Sequence, residues 1–80
     1  MDLDGKAIEL PRRARGCEGV DTGKVLTSRF GGLHYEPLGN RVFVQFSGGG
    51  WSLLEGQLSF KGEVICTVSN ACVRFSRNGG

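Results

Sequence analysis

Histidine is almost missing from this 80-residue chain. His34 stands alone, so any imidazole-based catalysis has a single residue to use. Nucleophilic catalysis also needs a base held against a hydroxyl or thiol and a third group to orient it. Glu36 shares a strand face with His34, and the hairpin reading brings Ser28 across from that strand. That is no recognised motif, so an enzyme is not expected. Cysteine is scarce as well. Cys17, Cys66 and Cys72 form an odd set without the paired spacing of zinc ligands, so neither a metal site nor another cofactor is implied. Unpaired thiols fit a reducing, cytoplasmic setting.

Long hydrophobic runs are also lacking. Nothing approaches the roughly 18 apolar residues of a membrane helix, and the opening Met1-Asp2-Leu3-Asp4 has no apolar stretch of the signal-peptide kind. The expectation is a cytoplasmic protein with no membrane contact. Neither sign of charge dominates: ten Lys and Arg face eight Asp and Glu, for a net charge of +2. The pI of 8.6 falls short of the value above about 9 usual for a dedicated nucleic-acid domain. Arginine nonetheless outnumbers lysine seven to three, and its planar fork suits phosphate and carboxylate.

Glycine is what the chain has in quantity. Fourteen of them cut it into pieces of strand length. Residues 6–10 alternate modestly and read as an edge strand that Pro11 ends, because proline cannot donate to a ladder. Residues 11–22 show no period and read as a flexible loop. From there a nearly continuous β pattern follows. Residues 24–30 read as a strand turning at Gly31-Gly32, a pair suited to the positive φ angles of a type I′ hairpin. Residues 33–37 follow, then a turn at Leu38-Gly39-Asn40.

The clearest strand is 41–47, with Val42, Val44 and Phe46 on one face and Arg41, Phe43 and Gln45 on the other. Further strands are expected at 51–54, 57–61, 63–69 and 72–77. Their inward sets are Leu58 with Phe60, Val64 with Cys66 and Val68, and Val73 with Phe75. Residues 78–80 read as a flexible tail. The fold class expected is therefore all-β with little or no helix. It would be a single 80-residue domain, an antiparallel meander closing into a small barrel (SH3- or OB-like in the broad sense) or a compact sandwich.

Asp21-Thr22-Gly23-Lys24 looks like part of a phosphate loop. However, only three residues separate Gly19 from Gly23, and Val25 follows the lysine where Ser or Thr is required. It reads as a turn before a strand. The function expected is a non-enzymatic binding module that acts on another protein or on a second copy of itself. Arg41, Phe43, Trp51 and Arg74 are its candidate surface, since arginine and aromatic residues are enriched at interfaces. The alternative is nucleic-acid binding, with Arg12, Arg13 and Arg15 as candidate phosphate contacts. Phe43 and Trp51 can equally be core residues, because large aromatics supply much of the burial in a small domain.

Overall fold

The computed structural model describes residues 2–15 and 20–76. The expected tail at 78–80, along with Cys17 and Arg77, lies outside them. Eight strands and one helix follow one another among the described residues: β1 (Ala7–Pro11), β2 (Ala14–Arg15), α1 (Thr22–Phe30), β3 (Leu33–Leu38), β4 (Arg41–Phe46), β5 (Trp51–Leu54), β6 (Gln57–Phe60), β7 (Glu63–Val68) and β8 (Val73–Phe75). The protein is mostly β, as its alternation and glycine turns require. Its strands form two sheets, ordered β1-β4-β3 and β2-β8-β7-β6-β5, and neither closes into a barrel.

The helix is the main correction. Residues 24–30 are not a strand but most of α1, and Gly31-Gly32 is not a hairpin turn but the helix stop. Gly31 has φ 66° and donates its N–H to the Thr27 carbonyl at 3.0 Å. A positive φ serves a helix C-terminus as well as a hairpin, so the same dipeptide fits both. Asp21 flanks the other end with extended backbone angles. Thr22, Val25 and Leu26 are buried and Phe30 is half-buried, at the i, i+3, i+4, i+8 spacing of one helical face. Gly23 lies on that face too. A Cβ there would come within 2.5 Å of the Tyr35 ring on β3, so glycine sets how closely the helix approaches the sheet.

The stretch read as a loop, 11–22, also holds structure. Pro11 closes β1, and Ala14 and Arg15 form a short parallel pairing with Val73 and Arg74 of β8. Elsewhere the antiparallel reading stands. The β3–β4 hairpin turns at Gly39-Asn40. Those of β5–β6 and β6–β7 turn at Glu55-Gly56 and Lys61-Gly62, where both residues of each pair have positive φ, the type I′ geometry that matches strand twist.

The segment before β1 joins the two sheets. Leu3 donates its N–H to the Trp51 carbonyl at 3.0 Å, beside a bridge between Asp2 and Ser52. Three residues later the chain has crossed to β4, with Phe46 N–H on the Lys6 carbonyl at 2.9 Å. Leu3 itself is fully buried.

One core serves both sheets and the helix. Val42, Val44 and Phe46 supply it from β4, Leu58 from β6, Ile65 and Cys66 from β7, and Leu26 from α1. The inward set of β7 departs from simple alternation. Leu58 pairs with Cys66 but Ser59 pairs with Val64, which leaves Ile65 as the extra residue of a β-bulge. Beyond the bulge the parity flips, so Val64 is exposed while Ile65 and Cys66 are both buried.

Trp51 is the hub. Its ring centroid lies 5.2 Å from Phe30 of α1, 5.2 Å from Phe46 of β4 and 4.7 Å from Phe60 of β6. It is 3% exposed, so it is a core residue and not part of a binding surface. The reason is positional, since β5 borders the helix where the two sheets meet.

Candidate functional site

The outer face of the three-stranded sheet is built from three cross-strand rows. Ala7, Gln45 and His34 form the first, Glu9, Phe43 and Glu36 the second, and Pro11, Arg41 and Leu38 the third. Side chains opposite one another in an antiparallel pair share a face. Phe43 therefore stands in the centre of this face, 41% exposed, with a carboxylate on either side. Leu38, 48% exposed, adds apolar surface beside Arg41. His34 is exposed in the first row opposite Gln45. Ser28, which the hairpin reading brought toward His34, instead sits on α1 and donates to the Val25 carbonyl at 3.0 Å.

Past Arg41 this face runs into a cleft of about 580 Å³. Arg12, Arg13 and Arg41 line it, and Asp21 is the only carboxylate among the described lining residues. The β3–β4 turn at Asn40 forms one wall and the β7–β8 turn at Asn70 another. Arg12 donates through Nε to Asp21 Oδ1 at 2.6 Å and through Nη1 to the Gly39 carbonyl at 3.1 Å. Its backbone is clamped as well, with N–H on the Asn40 carbonyl at 3.1 Å and its own carbonyl accepting from Thr22 N–H at 2.6 Å. Arg41 donates through Nη1 to the Asn70 carbonyl at 3.3 Å, and its Nε lies 3.9 Å from Glu9 Oε2. The side chain of Arg13 is exposed and makes no hydrogen bond or ion pair among the described residues. Because Asp21 is held by Arg12, its carboxylate does not cap α1.

The candidates from sequence thus separate into groups. Arg41 and Phe43 share the outer face of the three-stranded sheet, and Arg41 also joins Arg12 and Arg13 in the cleft. Arg74 lies on the other sheet, in register with Arg15 across the β2–β8 pairing, and both are exposed. Trp51 is interior. From sequence, Glu36 stands only as a companion of His34 and Asp21 only as part of the Asp21-Thr22-Gly23-Lys24 turn, and Glu9 has no place in a site. Only cross-strand register reveals that two carboxylates flank Phe43, and alternation within one strand carries no such information.

Cys66 is buried on β7, and burial pushes its thiol up to about 12. Cys72 is half-buried in the β7–β8 turn, where its N–H and carbonyl both meet Ser69 Oγ. Among the described residues no helix is long and apolar enough to cross a membrane. Searches of protein-family models, curated proteins and solved structures find no match for this chain, so the reading of its site rests on its own residues.

Proposed function

We propose that the protein is a non-enzymatic binding module whose Phe43 face docks a protein partner carrying an apolar side chain flanked by lysine or arginine. The observation that carries this reading is Phe43, 41% exposed between Glu9 and Glu36. An exposed aromatic ringed by charge has the composition of an interface anchor within a polar rim. The two carboxylates favour a cationic partner and oppose a phosphate backbone on this face.

They also oppose self-association through the same face. A two-fold axis through Phe43, along the strands or across them, sets the Glu9–Glu36 row against the same row of the second copy. Carboxylates then meet carboxylates, and like charges opposed at an interface cost several kcal/mol.

The test is an NMR titration with an alternating lysine–leucine peptide and its glutamate–leucine counterpart. Shifts at Phe43, Glu9 and Glu36 are expected with the basic peptide alone, weakened about tenfold or more by Phe43→Ala. Equal response to both peptides, no response at this face, or a stable dimer at micromolar concentration would refute the reading.

A further inference from the structure

The arginine cleft has a chemistry distinct from the Phe43 face. We infer that it binds a phosphate monoester dianion. Among the described residues three guanidinium groups and one carboxylate line it, with the Glu9 carboxylate 3.9 Å from Arg41 Nε at its edge, which leaves a local excess of one to two positive charges. A monoester carries about −1.5 to −2 at pH 7, so one such group matches the cleft. A phosphodiester carries a single charge per phosphate and matches it less well.

Geometry supports the same assignment. Arg12 is tethered to Asp21 and Gly39, and Arg41 to Asn70, so both guanidinium groups are held by the turns that wall the cleft. A guanidinium has five N–H donors, and Arg12 commits two of them in these bonds. Donors fixed in advance lose little side-chain freedom when a ligand arrives. Arg13, without a side-chain partner among the described residues, completes the set from the cleft edge.

The volume of about 580 Å³ exceeds a bare phosphate and leaves room for the group esterified to it. A longer polyanion continuing along the sheet past Arg41 would meet Glu9 and Glu36, which confines the ligand to a terminal phosphate.

The experiment is a ¹⁵N NMR titration, including arginine Nε–H signals, with phenyl phosphate and inorganic phosphate at constant ionic strength. Dimethyl phosphate and a single-stranded oligonucleotide lacking a terminal phosphate serve as phosphodiester probes. Saturable shifts are expected at Arg12, Arg13, Arg41, Asn40 and Asn70. Arg13→Ala weakens phenyl phosphate about tenfold or more, the worth of a charged hydrogen bond. Because Arg13 is exposed and its side chain holds nothing in the described fold, that variant tests binding without disturbing folding. Affinity also falls between pH 7.5 and pH 5, as the monoester gains a proton near pH 6. Shifts spread equally to Arg15 and Arg74, unchanged binding by Arg13→Ala, or phosphodiester probes binding as well as the monoester would each overturn the assignment. The Phe43 reading stands or falls separately, since phenyl phosphate and the lysine–leucine peptide address different residues.

Discussion

Cys66 is 1% exposed on β7, opposite Leu58, and burial raises its thiol from an ordinary 9.0 to about 12. The folded protein therefore keeps the proton over a range of pH in which the unfolded chain releases it. Stability from this residue is intact below pH 9 and declines as pH rises from 9 toward 12, by at most about 1.4 kcal/mol per pH unit. Denaturant midpoints followed from pH 8 to 11 should fall less steeply in Cys66→Ala than in the parent chain. Identical slopes would assign the alkaline loss to other groups. Reactivity follows from the same burial, since only the thiolate is nucleophilic. The turn residue Cys72, half-buried, is less shielded. At this scale the sequence was informative wherever a side chain's face follows from its own strand. Phe43 is exposed and Val42 and Val44 are buried, as alternation along 41–47 requires. Cys66 is buried as expected, but Val64 breaks that logic because the bulge at Ile65 lies in the pairing with β6, and no local feature of β7 announces it.

Among the elements, α1 was the hardest to read. It has nine residues, its apolar positions are only Val25, Leu26 and Phe30, and Thr22, Val25 and Thr27 are β-branched types that weaken helix propensity. A helix that short is fixed by packing more than by propensity, and its packing partner, Tyr35, lies beyond the glycine pair in the chain. Gly23 carries the evidence of that packing. Alanine is a better helix former than glycine by up to about 1 kcal/mol, so an exposed site would gain from the change. Here the added Cβ falls 2.5 Å from Tyr35 Cγ, and overpacking of this kind costs about 1–3 kcal/mol. Gly23→Ala should therefore lose about 1–2 kcal/mol in urea unfolding, the contact outweighing the propensity gain. In a Tyr35→Ala background the same substitution should become neutral or stabilising, a coupling that a double-mutant cycle measures. Stabilisation by Gly23→Ala alone would mean that the helix stands further from β3.

For the molecule as a whole, the question is what makes two sheets and a helix one cooperative unit. Two devices do so. The N-terminal segment hydrogen-bonds first to β5 and then to β4, and Trp51 gathers Phe30, Phe46 and Phe60 from the helix and from both sheets. A domain of this length has a total stability of about 4–12 kcal/mol, while truncating a buried aromatic costs about 3–5 kcal/mol. Trp51→Ala should thus remove a large share of the total and leave the chain partly unfolded at 25 °C by far-UV circular dichroism. Trp51→Phe retains a ring at the junction and should remain folded with a lowered urea midpoint. Phe43→Ala supplies the contrast, because an exposed side chain outside the core network should shift the midpoint by no more than about 0.5 kcal/mol. Aromatic content alone does not distinguish these two residues, since neither Phe43 within its strand nor Trp51 after three glycines carries a local sign of which face a second layer covers. Their separation comes from the sheets meeting at β5 while the outer face of β4 stays open. If Trp51→Ala and Phe43→Ala shifted the midpoint equally, the four-ring junction would not be what holds the sheets together.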